Sequence, residues 1–372
     1  MPKKLPKKID RPFLLAIVAL AVVGVFIFSS ASLGMLARGG EKFSDLVFSQ
    51  FILGLGGGGI FLIILVNIPY RSYRTLSPYF FGVAVLLTAL VFVPSLGREV
   101  NGASRWLDVF GVSFQPAELL KITFVLFLAW YYSLYHRKLG TIQYSLGGLI
   151  GALAVIGVIL LLQPDTGTFL ILGATGVAMA IAAGIKFKHL AFLGLLFLLA
   201  IILLLLSRPY LLQRVETLIN PTKDPDAGYQ IKQSLIGIGS GGWFGRGYGQ
   251  GVQKFKYLPE PSSDSIFSVA AEEFGFIGSI IFVSLYVFLA LRGLFVASTA
   301  PDRFGGLVVI GIVILITTQS FLNIGSVIGF VPFTGEPLTF ISHGGTSLLF
   351  TLASVGIILN ISRYKTTRLQ HI

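Results

Sequence analysis

The 372-residue chain contains no cysteine, which excludes disulfides and thiolate metal sites. Charge is nearly as scarce. Asp, Glu, Lys and Arg make up 12% of the residues, where soluble domains carry roughly 25%. With 54% hydrophobic residues and a mean hydropathy of +0.85, that shortage excludes an ordinary soluble domain. Acids are the scarcer sign, 16 against 28 lysines and arginines. The resulting net charge of +12 needs no nucleic acid, because basic residues at a membrane surface suit anionic lipid headgroups.

What fills the chain instead is long apolar runs, each near the roughly 20 residues that cross a bilayer as helix. They lie at about 12–35, 47–68, 79–95, 117–135, 143–162, 167–184, 188–206, 266–292, 304–330 and 342–361. The expected fold is an all-α polytopic membrane protein of about ten transmembrane helices, a single domain over 1–372. The first run is too long for a signal-peptide core and reads as a retained helix. Residues 1–11 form a basic tail with Lys3, Lys4, Lys7, Lys8 and Arg11. With that tail cytoplasmic, Arg71, Arg74, Arg137, Lys138, Lys186, Lys188, Arg292, Arg303, Arg363, Lys365 and Arg368 share its side. The short loops opposite hold only Arg38, Lys42, Arg98 and Arg105, as the positive-inside rule requires. Both termini are then cytoplasmic, and 207–265 is one large outer loop between helices seven and eight. Of the acids, only Asp10 and Asp302 fall on the inner side.

The outer segments carry the chemistry. In 257–273, YLPEPSSDSIFSVAAEE, four acids (Glu260, Asp264, Glu272, Glu273) sit where a polar loop becomes an apolar helix. Carboxylates are costly there, which points to function. In 97–121, Pro116 suits a first helical turn, and Glu118 and Lys121 share a face three residues apart. They form either a structural ion pair or, with Arg105, a positive site for an anionic ligand. Asp165 of Gln163-Pro164-Asp165 either caps the sixth helix or lines the same site. Residues 237–251 hold eight glycines and one GxGxxG, at Gly237, Gly239 and Gly242. No strand precedes that match, so a close-packed turn competes with a phosphate cradle beside Arg246. Arg208 to Asn220 reads as an amphipathic surface helix and 221–228 as a turn. Asp224-Pro225-Asp226 reads as a loop corner rather than a metal motif. Gly54, Gly56, Gly57, Gly58 and Gly59 suit close helix packing. His343, in the last outer loop with Ser342, has no second histidine at ligand spacing.

Taken in order, NGASRW (101–106), QPAELLK (115–121), QPDTGT (163–168), GYQIKQS (228–234), GSGGWFGRG (239–247), YLPE with Asp264, EEFGFIG (272–278) and the 329–348 loop resemble the SEDS family. These are bacterial membrane proteins of elongation, division and sporulation (FtsW, RodA and SpoVE), and the wording leans to the FtsW branch. Departures are Ser263-Asp264-Ser265, where the family often has Thr-Asp-Phe, and Thr339 and His343 for its proline and tyrosine.

The resemblance implies a peptidoglycan glycosyltransferase at the outer face of the bacterial cytoplasmic membrane, polymerising lipid II into β-1,4-linked glycan with inversion. Asp264 is then the candidate general base. Arg105, Lys121, Glu118, Arg246, Asp165 and Ser342 are candidate pyrophosphate or sugar contacts. Glu272 and Glu273 would support them, without forming a glycosidase-like dyad with Asp264. No organic cofactor is implied; Mg2+ or Mn2+ could assist the leaving group. Expected partners are lipid II, a class B penicillin-binding protein and other divisome or elongasome membrane proteins. The alternatives are a lipid II flippase, whose charges should sit near the bilayer midplane, and a non-catalytic scaffold.

Overall fold

The structure, a computed structural model, describes residues 8–36, 43–100, 103–109, 112–207, 209–220 and 225–364. Lys3, Lys4, Lys7, Arg38, Lys42, Asn101, Gly102, Arg208, Asp224, Lys365 and Arg368 lie outside these residues.

Helix α1 (Arg11–Leu36) starts where the Asp10 carboxylate accepts from the Phe13 N–H at 3.1 Å. Next come α2 (Phe43–Val47), a π-helical stretch (Phe48–Gly57) and α3 (Gly58–Asn67), which together make one span. Helix α4 (Tyr70–Ala89) is followed by strands β1 (Gly97–Val100), β2 (Ala103–Val109) and β3 (Val112–Phe114). Helices α5 (Pro116–Leu134), α6 (Ile142–Leu162), α7 (Thr166–Ala182) and α8 (Phe187–Ser207) come next. Helices α9 (Pro209–Ile219), α10 (Pro225–Ser240) and α11 (Gln253–Lys256) occupy the long connection. The chain closes with α12 (Ile266–Ser298), α13 (Arg303–Val327) and α14 (Gly345–Ser362).

Among the described residues eight segments are long and apolar enough to cross a membrane, and Thr166–Ala182 and Phe187–Leu203 are shorter apolar helices. Together they are the ten runs seen in the sequence, and the chain is a multi-pass membrane protein. Side chains such as Leu195, Leu198 and Leu203 on α8 are exposed, as a lipid-facing wall requires. The enclosed middle is made by α5, α13 and α14. In α14, 89% of the apolar window is buried. Gly54, Gly57 and Gly58 let the second span settle onto α14: a Cβ at Gly58 would lie 2.8 Å from the Leu352 side chain. Gly59, by contrast, faces open space and Gly56 meets only its own helix, so the packing role expected of all five belongs to three.

Three local expectations need correction. The third span starts at Tyr70, not near 79, so Arg71 and Arg74 are on a helix rather than in a loop. Pro78 is accommodated inside it, and the neighbouring Ser77 hydroxyl donates to the Tyr73 carbonyl at 2.6 Å. Strands β1, β2 and β3 form a three-stranded antiparallel sheet, with Arg98 opposite Trp106 and Leu107 opposite Phe114. The turn expected over 221–228 is helix from Pro225, because proline at a first helical position lacks only an N–H that would go unbonded anyway.

Two irregular features shape the end of the bundle that carries the sheet. Helix α12 breaks at Gly275, whose φ of 68° is a left-handed conformation that suits glycine. The glycine-rich loop docks on the break and satisfies its backbone. Phe276 N–H donates to Gly242 O at 2.8 Å, Arg246 N–H to Glu272 O at 3.0 Å and Gly247 N–H to Glu273 O at 3.0 Å. Gly245 and Gly275 meet backbone to backbone, leaving no room for a Cβ at either.

The second feature is the connection between α13 and α14, which re-enters the bundle. Leu338, Thr339, Phe340, Ile341 and Ser342 are all buried. Phe340 O lies against Gly24 of α1, and Tyr286 OH of α12 donates to Thr339 O. Irregular backbone at that depth is tolerated only when protein surrounds and satisfies it. The opposite end is tied differently. Arg292 grips Asp10 with two bonds of 2.9 Å, while Asn360 accepts from Tyr70 N–H at 2.9 Å.

Candidate functional site

Asp264 stands on a tight turn two residues before α12. Ser263 and Ser265 N–H groups both donate to Glu260 O, at 3.2 and 3.3 Å, which fixes the turn. The Ser263 hydroxyl donates to Asp264 Oδ1 at 3.0 Å. Asp264 Oδ2 rests over Gly335, 3.6 Å from where a Cβ there would be. One amide joins the two segments: Asn323 Nδ2 of α13 donates to Asp264 O at 2.9 Å and to Glu336 O at 2.8 Å. Ser342 Oγ donates to Ser263 O at 2.6 Å and accepts from Leu338 N–H at 2.9 Å. Ser342 therefore positions the Asp264 turn from beneath. From α10, Gln230 reaches Ser265 Oγ at 3.0 Å.

Burial raises the proton affinity of the Asp264 carboxyl above the usual aspartate range. The Ser263 hydroxyl partly offsets this, Glu260 adds to it, and the positive charges of Arg214 and Arg105 lower it. A carboxyl of that kind is a stronger base once ionised.

A second acid stands beside this turn. Glu336 is buried at the entry to the re-entrant segment, and its Oε1 lies 3.0 Å from Thr168 Oγ1. The same hydroxyl lies 3.0 Å from Asp165 Oδ2. Gly167 is what makes room, since a Cβ there would stand 2.7 Å from Glu336 Oε1. Burial first, and then the negative charges of Asp165 and Glu118, raise the Glu336 carboxyl to about 7, against the opposing pull of Lys121. Asp165 also caps α7, accepting from Thr168 N–H at 3.4 Å.

Lys121 and Glu118 form an ion pair at 2.9 Å, both buried, and Lys121 Nζ also reaches Gln319 Oε1 at 2.8 Å. Gln319 in turn donates to Pro337 O at 3.0 Å, which links the pair to the re-entrant segment. The hollow beside Lys121 is only about 10 Å³, near the lower limit for one water. Lys121 does not face a ligand-sized space here. Arg105 on β2 donates to Gln163 O at 3.2 Å and to Pro164 O, clamping the sheet onto the start of α7.

The other sequence candidates form a separate cluster. Glu272 accepts from Val252 and Gln253 N–H groups at 2.9 and 3.2 Å and so caps α11. Glu273 is ion-paired with Lys254, both fully buried, with Ser30 of α1 bonded to each. Arg246 lies 3.6 Å from Glu272 and is the exposed member. These residues hold the glycine-rich loop against α12. The N–H groups of 245–247, which a phosphate cradle would need, are spent on backbone carbonyls.

A family model described as "Cell cycle protein", for FtsW, RodA and SpoVE, matches residues 11–367. The chain belongs to the FtsW/RodA/SpoVE family, also called SEDS. Stage V sporulation protein E of Bacillus subtilis (strain 168) is 38% identical over 363 residues, spanning 96% of this chain and 98% of that protein. A protein named "Probable peptidoglycan glycosyltransferase FtsW", from Geobacter sp. (strain M18), is 38% identical over 364 residues, spanning 95% and 96%. Among solved structures, a chain from a peptidoglycan synthase complex studied for how it coordinates polymerization and crosslinking superposes with a TM-score of 0.77. It is 28% identical, over 95% of this chain and 98% of that one.

For this SEDS protein, no group of three or more His, Asp or Glu side chains is placed to hold a metal ion among the described residues. Asp165 and Glu336 are bridged by the Thr168 hydroxyl. The sequence reading passed over Glu336, Arg214, Asn323, Gln319 and Lys254. Glu336 sits inside a Gly-Glu-Pro turn in the family's last loop, and turn composition explained the stretch without asking where its acid pointed. Arg214, which donates to Phe333 O at 2.9 Å, lay on a helix read only as a surface element.

Proposed function

We propose that the chain is a peptidoglycan glycosyltransferase, acting at the outer face of the cytoplasmic membrane and polymerising lipid II in division or elongation. The observation that carries the reading is Asp264, a half-buried carboxyl at the sheet-bearing end of the bundle. It is held by Ser263, Gly335 and Asn323 within the field of Arg105 and Arg214. The name of the FtsW relative supports the same activity.

In this reading Asp264 takes the proton of the acceptor sugar's 4-hydroxyl as that oxygen attacks the anomeric carbon of the donor. The anomeric bond to pyrophosphate breaks, and the polyprenyl pyrophosphate leaves with the electron pair. Attack from the opposite face inverts the centre and gives a β-1,4 link. Arg105 and Arg214 stabilise the leaving charge. Lys121, tied to Glu118 and Gln319, contributes field rather than contact. The lipid-linked donor brings its own leaving group, so no nucleotide is used. A class B penicillin-binding protein is the proposed partner, joined by other membrane proteins of the same machinery. The solved complex that resembles this chain supports an assembly of that kind.

The test is reconstitution. Purified chain with its transpeptidase partner in liposomes, supplied with lipid II, should yield glycan strands on a gel. A parallel assay follows labelled lipid II across the bilayer. Translocation without strands would replace this reading with the flippase; neither outcome would leave the scaffold.

A further inference from the structure

One hydroxyl stands between two buried carboxylates. Thr168 Oγ1 is 3.0 Å from Asp165 Oδ2 and 3.0 Å from Glu336 Oε1. A threonine hydroxyl has a single proton to donate. It can satisfy one carboxylate well; the other contact needs a proton on the acid, donated to the threonine oxygen. Two ionised carboxylates this close, in a buried setting, would also repel strongly.

We propose that Asp165 and Glu336 share one proton through Thr168, held by Glu336 because Asp165 already accepts the Thr168 N–H, and that this pair seats the base Asp264. The inference rests on the reading of Asp264 as base. Glu336 is a positioning residue that acts through two contacts. Gly335, its chain neighbour, lies under Asp264 Oδ2, and Asn323 bridges Glu336 O to Asp264 O. Loss of the shared proton puts two like charges across one hydroxyl and drives the 334–337 segment away from Asp165. The seat of Asp264 moves with it.

The charged groups facing the pair come from each neighbouring element. Helix α5 gives Glu118 and Lys121, the turn before α12 gives Asp264, and β2 gives Arg105, bound at Gln163 and Pro164. Helix α9 gives Arg214, bound at Phe333. Helix α13 offers the uncharged Gln319 and Asn323. Lys121 is already paired with Glu118, and Arg105 and Arg214 are bound to backbone carbonyls. A second ionised acid in the pair would add a buried negative charge with no ion-pair partner of its own among the described residues.

Two measurements on the full-length protein decide it. The first is infrared titration: wild type should show a protonated-carboxyl carbonyl stretch at neutral pH that disappears in Glu336→Gln and shifts in Thr168→Val, which keeps both acids and removes the bridge. The second is the pH profile of kcat/KM for lipid II polymerisation. Wild type should lose activity on the alkaline side, and Glu336→Gln, which has no proton to lose, should be active and lack that limb. A purely structural role would lower activity equally at every pH. Absence of the infrared band, its persistence in Glu336→Gln, or an alkaline limb unchanged in Glu336→Gln would overturn the proposal. Should the wild type polymerise nothing, the glycosyltransferase reading fails, while the infrared result still decides the proton.

Discussion

A methyl group at position 167 would stand 2.7 Å from a carboxylate oxygen, so the glycine of the QPDTGT motif is there to admit Glu336. Gly167→Ala should therefore cost roughly 1–3 kcal/mol as an overpacked site. It should lower polymerisation more than an alanine elsewhere on α7, measured by unfolding midpoint and strand yield together. Two pH effects follow from the raised carboxyls. Asp264 must be ionised to act as base, so activity should rise with pH through a value above the usual aspartate range, read as the acid limb of kcat. Glu336 is raised from 4.5 to about 7, so the folded protein holds this proton more tightly than the unfolded chain. That stabilisation is complete below about 4.5 and is lost as pH rises to about 7. The unfolding midpoint should fall across that window in wild type and change less in Glu336→Gln. At this scale the sequence singles out Asp264, because an acid at the edge of an apolar run is costly to keep there. It does not single out Glu336, because the partner that gives it meaning is 168 residues away.

Elements were legible in proportion to how regular they are. The spans announce themselves by hydropathy, and α9 by its amphipathic pattern. The sheet, the break in α12 and the re-entrant segment did not, because each depends on backbone groups satisfied by distant chain. The 242–247 loop covers the Gly275 break, and Gly245, with no room for a Cβ against Glu273 and Gly275, answers to that contact. Beside the break, an open apolar groove of about 490 Å³ runs between α1 and α12, lined by Phe26, Phe274 and, from the glycine-rich loop, Tyr248. The Lys254–Glu273 pair pins this region to α1. Replacing one member alone, as in Glu273→Leu, should destabilise by about 3–5 kcal/mol by stranding a buried charge. Lys254→Met combined with Glu273→Leu should recover most of the loss. A double-mutant cycle in detergent measures both, and additive losses would show that the two residues do not act as a pair.

Across the molecule, the two ends of the bundle are built for different work. One end is closed by Asp10–Arg292 and by Asn360 on Tyr70, which tie the start of α1 to α12 and α4 to α14. The other gathers the sheet, the long connection and the re-entrant segment around Asp264, where the polar groups converge. That division follows the charge asymmetry of the sequence, with its acids concentrated away from the basic termini and loops. The central claim is that one carboxylate at that end performs the chemistry. Asp264→Asn, purified with its partner and given lipid II, tests it most directly. The account predicts a fall in strand formation of about 10²–10⁴-fold with an unchanged unfolding midpoint. Polymerisation at the wild-type rate by Asp264→Asn would contradict it.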